Sequence, residues 1–278
     1  MTDFPDDLLL ESAPTSWRVT SLSRIARLIS GGTPPSNDPA YWKRDLPWVS
    51  PKDMRTHSIS DSEDWVAERA VRDGRTTAVE SGSLLVVVRS GILRRTIPTA
   101  RTTRRVAINQ DIKGLTLADS CLPEFLLYWV GGNEMVLLDL WRKPGATVES
   151  LEIPRIVKTR IALPPLDEQR AIARFLDRKS RRIARFIRAR QRMIALLNEQ
   201  KQAIIHQAVT RGLDPDVPLK PSSIDWLGDI PAHWAVKRAG YVLRKIDQRS
   251  PAGAETHLSM SQKLGLLPAK DLDQKHTV

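Results

Sequence analysis

The sequence contains few of the residues that mark secreted or membrane proteins. Among its 278 residues there is one cysteine, Cys121, which excludes an intramolecular disulfide and favours a reducing compartment. No run approaches the ~18 apolar residues of a membrane-spanning helix, and the initial stretch MTDFPDDLLLE is acidic where a signal peptide is basic. We therefore expect a cytoplasmic protein that makes no contact with a membrane.

Sequence signatures of catalysis are also missing. The chain has no GxxxxGK(S/T) phosphate-binding loop, no HExxH zinc motif, no GxGxxG fingerprint and no GxSxG nucleophile elbow. Its five histidines lack metal-ligand spacing, and neither Asp53 nor Asp111 has a visible carboxylate partner. These absences predict a non-catalytic chain that binds no metal and no cofactor.

Positive charge is what the sequence has in excess. Lys and Arg number 43 against 32 Asp and Glu, which gives a formal net charge of +11 and favours a polyanionic partner. The excess is concentrated in residues 166–212 and in residues 81–110, where six arginines occur without an acid. A solvated surface is the alternative interpretation of such a run.

Binding chemistry is well represented in and near this basic stretch. Arginine, asparagine and glutamine can pair with base edges in the major groove, and arginine and lysine can contact phosphates. Turn-rich segments bounded by proline add further polar side chains, although solvated surface is the competing interpretation for each residue alone. The predicted DNA contacts are Arg89, Arg94, Arg95, Arg101, Arg104, Arg105, Asn109, Gln110, Lys52 and Asn37.

A basic stretch from Leu166 to Arg211 has the period of a coiled-coil helix. Pro164 and Pro165 precede it, Gly212 follows it, and no proline or glycine interrupts it. About 45 residues make a helix of roughly 67 Å, too long to fold back on one small core, so it needs a partner along its apolar seam. The predicted seam residues, spaced by threes and fours, are Ile172, Leu176, Ile183, Phe186, Met193, Leu197 and Ile204.

The segment before this helix is predicted to be a mixed α/β unit. GSLLVVVRSGI is its clearest strand, RVAINQDIKGLTL contains one or two more, and LPEFLLYWVGGNEMVLLDLW has helical spacing. We expect a curved, largely antiparallel sheet with helices beside it. The fold class is therefore α+β, with a mixed α/β domain, a long coiled-coil-forming helix and a partial further domain.

A short pattern recurs on either side of the helix. Pro14–Val19 reads PTSWRV and Pro231–Val236 reads PAHWAV, which share P-x-x-W-x-V. The second occurrence indicates that a copy of the first domain begins after the helix. The remaining residues are too few to complete that copy, so we expect an incomplete domain.

Seven segments follow one another in a consistent order between residue 14 and about residue 246. They are WRVTSL, SGGTPPSNDPAYW, LPWVSPKDM, GSLLVVVRSGIL, INQDIKGL, LPPLDEQRAIARFLD and SSIDWLGDIPAHW. Together they resemble the specificity subunit of type I restriction-modification systems. In that family a target-recognition domain and a long helix occur twice, and the two helices form an antiparallel coiled coil that separates two readers of a split DNA target.

The resemblance implies a domain organisation and a set of partners. Residues 14–162 would be the first target-recognition domain, 166–211 the spacer helix and 222–278 the start of a second, incomplete recognition domain. The expected partners are double-stranded DNA, methyltransferase (M) subunits and a restriction (R) subunit. The cofactors S-adenosylmethionine and ATP with Mg²⁺ would belong to those partner subunits.

Chain length is where the sequence departs from the family pattern, and it leaves three interpretations open. The helix could pair with that of a second copy of the chain, which gives a two-fold protein and a palindromic split target. The chain could instead be a disrupted, inactive fragment of a specificity subunit. It could also be a coiled-coil adaptor that binds an acidic protein and no DNA.

Overall fold

The computed structural model describes residues 7–11, 13–246, 255–262 and 265–269, and the chain divides into two compact units, Met1–Arg190 and Gln191–Val278. The long helix predicted from the sequence is present as one element. The helices are α1 (Asp7–Leu10), α2 (Leu22–Ile25), α3 (Glu68–Arg72), α4 (Pro123–Gly132), α5 (Glu134–Trp141), α6 (Ile153–Lys158), α7 (Leu166–Arg211) and α8 (Ala239–Val242).

The strands are short. In chain order they are β1 (Arg18–Ser21), β2 (Ala26–Ser30), β3 (Leu46–Val49), β4 (Ser58–Ile59), β5 (Asp64–Val66), β6 (Thr77–Val79), β7 (Leu84–Val87), β8 (Thr99–Thr102), β9 (Val106–Ile108), β10 (Ile112–Leu117), β11 (Arg160–Leu163), β12 (Leu219–Pro221), β13 (Asp229–Pro231), β14 (Leu258–Ser261) and β15 (Gly265–Pro268). Turns of 3-10 helix occur at Pro39–Tyr41, Pro51–Asp53 and Gly91–Arg94.

Two main sheets form the first unit. One has five strands in the order β2-β10-β7-β8-β4, and the other has four in the order β5-β3-β9-β6. The pairs β3–β9 and β4–β8 are parallel, and the other pairs within these sheets are antiparallel. The single curved sheet expected from the sequence is therefore wrong, although most pairings are antiparallel as predicted.

The physical reason for two sheets is a turn between β9 and β10. Asn109 Oδ1 accepts a hydrogen bond from the Asp111 backbone N–H at 3.0 Å, so the side chain replaces a strand partner at this point. The chain leaves the four-stranded sheet at Ile108 and enters the five-stranded sheet at Ile112. Two strands that are close neighbours in sequence thus belong to different sheets.

The hydrophobic core lies around the five-stranded sheet. All residues of β7 are buried, as expected for a continuous apolar strand that lies between two others. Phe125 and Leu126 of α4 and Trp141 of α5 pack into the same core. Cys121 is also buried there, and burial raises the pKa of its thiol to about 12, which makes the group unreactive at neutral pH.

Helix α7 begins at a set of contacts with the rest of the first unit, made by the β1–β11 pair, Trp17 and Gln169 and here called the joint. Strand β11, which ends just before it, pairs antiparallel with β1, and Trp17 Nε1 donates to Glu168 Oε2 at 3.1 Å. Gln169 is fully buried, and its amide is completely hydrogen-bonded to backbone groups. Its Nε2 donates to Ser120 O at 2.9 Å and to Pro164 O at 2.8 Å, and its Oε1 accepts from Leu122 N at 2.8 Å.

A second hydrogen-bonded contact, between α4 and α7, lies two turns further along the helix. The Tyr128 hydroxyl donates to Asp177 Oδ1 at 2.5 Å, and burial, reinforced by this hydrogen bond, raises the pKa of Tyr128. Ile172 lies half-buried between Gln169 and Asp177 and packs against the main core. The first turns of α7 are therefore part of the first unit's packing.

The second unit contains small, separate elements in the residues that the structure describes. Gly212 adopts the left-handed conformation at φ +82° just after α7, as helix-terminating glycines do. Strands β12 and β13 pair antiparallel, as do β14 and β15, and Ile230 and Ser222 are buried. The remainder of the predicted incomplete domain, residues 247–254, 263–264 and 270–278, lies outside the described residues.

The joint can be tested with a Gln169→Leu variant. Loss of the amide leaves the Leu122 N–H and two carbonyl groups buried without partners, so we expect the free energy of unfolding to fall by about 2–4 kcal/mol. Urea unfolding followed by tryptophan fluorescence measures this change. The matched control, Gln202→Leu at an exposed position of the same helix, should change stability by less than about 0.5 kcal/mol. Equal stabilities of the two variants would contradict the assignment.

Candidate nucleic-acid interface

Three of the predicted DNA contacts meet at the turn between the two sheets, around Asp111. Arg89 Nε donates to Asp111 Oδ1 at 2.6 Å, and Asn109 Nδ2 donates to Asp111 Oδ2 at 3.4 Å. Gln110 is exposed, and its Oε1 accepts from the Thr33 hydroxyl. The arrangement leaves the Gln110 amide nitrogen pointing to no partner among the described residues, so it is available to an external acceptor.

The loop that carries Thr33 lies against this turn because glycine allows it. A Cβ placed on Gly31 would be 2.1 Å from Ile108 O and 2.2 Å from Asn109 O, which no larger residue can tolerate. Gly32 N donates to Ile108 O at 3.0 Å. The Gly-Gly pair therefore positions the loop beside Gln110, and Asn37 lies exposed farther along the same loop.

Arg94 ends the 3-10 turn Gly91–Arg94 after β7, Arg95 follows it, and both are exposed. Arg94 Nε is 3.4 Å from Glu149 Oε1, and Arg142 Nε is 3.6 Å from Glu149 Oε2. An ion pair this exposed contributes at most about 1 kcal/mol and exchanges readily for another anion. Arg95 has no carboxylate within 4 Å in the described part of the chain.

Two other arginines of the basic stretch form ion pairs with acidic residues that lie outside that stretch in the sequence. Arg101 of β8 forms an ion pair with Glu124 at the start of α4. Arg105 pairs with Glu68 of α3, and its Nε is 3.3 Å from Glu80 Oε1. These half-buried guanidinium groups hold helices against the sheets, so the acid-free run in the sequence is only partly a free positive surface.

Lys52 also forms ion pairs within the chain. Its Nζ lies 2.8 Å from Asp64 Oδ2 and 3.2 Å from Glu63 Oε2, and these two hydrogen bonds, Asp64 first, raise the pKa of Lys52. The lysine therefore stays charged and is half-exposed. It lies on the 3-10 turn Pro51–Asp53 beside the edge strand β5.

Arg104 lies near two residues, Arg44 and Trp65, that were not predicted from the sequence. Its Cζ lies 5.6 Å from the ring centroid of Trp65, and the Cζ of Arg44 lies 4.9 Å from the same centroid. Arg44 and Arg104 precede β3 and β9, which are parallel neighbours. No periodicity connects these positions, because strand pairing alone brings them together.

The predicted seam of α7 divides into two parts. Ile172 and Leu176 are half-buried against the first unit, whereas Ile183, Phe186, Met193, Leu197 and Ile204 are each about half exposed, between 49% and 59%. Further exposed apolar residues of the helix, which were not predicted, are Phe175, Ile187, Ile194, Leu196, Ile205 and Val209. The exposed apolar surface is therefore wider than a narrow seam.

Across the described ranges, no three His, Cys, Asp or Glu side chains come close enough together to ligate a metal ion. Within the same ranges, no helix is both long enough and apolar enough to span a bilayer.

Comparison with curated proteins finds specificity subunits. The Escherichia coli type I restriction enzyme EcoR124I/EcoR124II specificity subunit is 30% identical over 177 residues, which is 63% of this chain and 43% of that protein. The Methanocaldococcus jannaschii type I restriction enzyme MjaIX specificity subunit is 25% identical over 245 residues, which is 83% of this chain and 52% of that protein. The chain spans about half the length of these relatives.

Comparison with solved structures supports the fold. A chain from a study of complex assembly and conformational transition of the type I R-M system matches with a TM-score of 0.58 at 23% identity, over 75% of this chain and 51% of that chain. The HsdS subunit from Thermoanaerobacter tengcongensis matches with a TM-score of 0.53 at 24% identity, over 73% and 47%. The predicted α+β class, a mixed sheet domain followed by a long helix, is confirmed.

The family assignment rests on the sequence. The model described as Type I restriction modification DNA specificity domain matches residues 14–194, a range that holds both main sheets and the N-terminal part of α7. The resemblance to specificity subunits noted in the sequence is thereby confirmed. Because the match covers well over half of its residues, the chain belongs to the family of type I restriction-modification DNA specificity domains.

Proposed function

We propose that this chain gives a type I restriction-modification enzyme its DNA sequence specificity, without catalysing a reaction itself. The family match over residues 14–194 is the observation that carries the proposal. Residues 14–162 read one part of a split duplex target, and 166–211 act as the spacer. Residues 222–278 begin a second reader.

The joint at the start of α7 supports a spacer function. Gln169 and the Tyr128–Asp177 hydrogen bond fix the first turns of the helix to the sheets of the first unit. A recognition surface attached through a fully hydrogen-bonded buried amide has little rotational freedom relative to those turns. The helix can then set the position of the reader on DNA.

The exposed apolar residues of α7 support pairing with a second helix. We propose that the partner is the same helix of a second copy, because a two-fold pair presents two identical readers to a palindromic split site. Methyltransferase subunits, which bring S-adenosylmethionine, dock on this assembly. A restriction subunit brings ATP and Mg²⁺.

A coiled-coil adaptor without DNA binding is the competing function. It is favoured by the ion pairs of Arg89, Arg94, Arg101 and Arg105, which neutralise much of the basic stretch within the chain. The two functions differ in a measurable way. The adaptor would leave DNA methylation unchanged and would bind no duplex.

Methylome sequencing with the gene intact and deleted tests the proposed function. We expect deletion to abolish methylation at one split motif, because the methyltransferase subunits lose their sequence reader. Complementation with the intact gene should restore methylation at the same motif. An unchanged methylome after deletion would favour the adaptor.

Arg94 and Arg95 can be tested directly through the variant Arg94→Ala/Arg95→Ala. If each contacts one phosphate, the slope of log affinity against log salt should fall by about 0.9 per lost contact, with a loss of roughly eightfold per contact at about 0.1 M salt. Fluorescence anisotropy of duplex DNA measures both, with the full-length chain and its methyltransferase subunit. Arg18→Ala/Arg160→Ala, an exposed pair on the β1–β11 sheet, is the charge-matched control. Equal curves for both variants would argue against a specific role for Arg94 and Arg95.

The helix pairing can be tested with Leu197→Asp/Ile204→Asp. Both positions are exposed and apolar in the single chain. Burying an unpaired carboxylate in a helix–helix interface costs free energy, so we expect the variant to sediment as a monomer. The control Gln202→Asp, also exposed on α7, should keep the parent's mass. Analytical ultracentrifugation measures both masses, and a parent chain that is already monomeric at every concentration would refute the self-pairing.

A further inference from the structure

Two arginines converge on one tryptophan ring at an edge of the four-stranded sheet. Trp65 lies half-buried in the edge strand β5, opposite Pro47 of β3. The Cζ atoms of Arg44 and Arg104 lie 4.9 Å and 5.6 Å from its ring centroid. Both distances are within the range of a cation–π contact, which restrains each guanidinium group without neutralising it.

The topology explains why both arginines reach the same ring. Arg44 lies two residues before β3, and Arg104 lies two residues before β9. Because β3 and β9 are parallel neighbours, the segments before them lie at the same end of the sheet. Strand β5 pairs with β3 from its other side, which brings Trp65 to both segments.

The lack of an acidic partner distinguishes this pair from most other arginines of the basic stretch, of which Arg95 alone shares it among the described residues. Arg89, Arg101 and Arg105 each have a carboxylate partner. In the part of the chain that the structure describes, neither Arg44 nor Arg104 has a carboxylate within 4 Å, and both are exposed. The nearest acid in sequence, Asp45, instead accepts a hydrogen bond from the Glu68 backbone N–H at 3.2 Å.

We propose that Arg44, Trp65 and Arg104, here called the Trp65 platform, bind a phosphate of the DNA backbone. Both positive charges lie within 6 Å of the same ring centroid, and a nearby anion lowers the electrostatic energy of each. A guanidinium group offers paired N–H donors that match phosphate oxygens, and stacking on an aromatic ring pre-orders it for that contact. This inference rests on the proposed function as a DNA reader, and it adds Arg44 and Trp65 to the interface.

A phosphate suits the platform better than a base edge does. The ring keeps both arginines close to the sheet edge, whereas base readout requires a side chain to extend into a groove. A phosphate contact orients the protein on the duplex irrespective of sequence. The platform therefore positions the reader, and at the Asp111 turn the exposed Gln110 remains available for a base, whereas Asn109 is buried and Arg89 is paired with Asp111.

The test compares duplex binding by the parent chain, Arg44→Ala/Arg104→Ala and Trp65→Leu, each full-length and assembled with its methyltransferase subunit. Anisotropy titrations use a random-sequence duplex over a range of salt concentrations. We expect the double variant to lose roughly eightfold or more in affinity at about 0.1 M salt and at least about 0.9 in salt slope, the values for one phosphate. Trp65→Leu, which keeps both charges, should lose severalfold, and Trp65→Phe should restore most of the affinity.

Two controls separate the platform from net charge and from misfolding. Arg18→Ala/Arg160→Ala removes the same charge from the β1–β11 sheet and should bind more tightly than the Arg44/Arg104 double variant. Thermal melting followed by circular dichroism should match the parent's for every variant that is scored. Because Arg44 and Arg104 are exposed, their replacement should leave the fold intact.

The outcomes distinguish failure of the inference from failure of the proposed function. If the parent binds duplex and the Arg44/Arg104 and Trp65 variants bind equally well, or no worse than the charge control, the platform is refuted and the DNA reader stands. If the parent itself binds no duplex in the presence of its methyltransferase subunit, the proposed function is refuted and the platform with it.

Discussion

The buried amide of Gln169 is the interaction on which the architecture depends. An uncharged side chain with two donors and an acceptor satisfies three backbone groups at the place where β11 ends, α4 begins and α7 begins. An apolar residue would leave those groups unsatisfied, and a charged one would need a counter-ion in the core. The direction in which the first turns of α7 leave the sheets follows from this one constraint, which the Tyr128–Asp177 contact reinforces.

The elements that depend on local sequence were predictable, and those that depend on long-range pairing were not. The apolar run of β7 and the period of α7 predicted a buried strand and a long helix, because periodicity is a property of neighbouring residues. The division into two sheets was missed because it depends on which distant strands pair with β9 and with β10, on either side of the turn where the Asp111 N–H donates to Asn109. Gln169 was likewise missed, because a glutamine in a basic helix has no sequence signal for burial.

The same limit applies to the candidate interface, where the sequence did not predict which arginines are paired with acidic residues. The sequence contained an acid-free run with six arginines, and all six were predicted to contact DNA. Glu68, Glu124 and Glu149 fold back onto that run from either side and pair with Arg105, Arg101 and Arg94. Strand order, by contrast, leaves Arg44 and Arg104 together on Trp65. The distribution of free positive charge is therefore a property of the topology, and counting residues along the chain cannot give it.

The wide apolar surface of α7 has a consequence for the chain in solution. Phe175, Phe186, Ile194 and Leu197 are each exposed by half or more, and large uncovered apolar surfaces promote nonspecific association. The basic residues between them oppose that association at low salt, because molecules of like charge repel, and this protection weakens as salt screens the charge. The solubility of the isolated chain should therefore decrease as ionic strength rises.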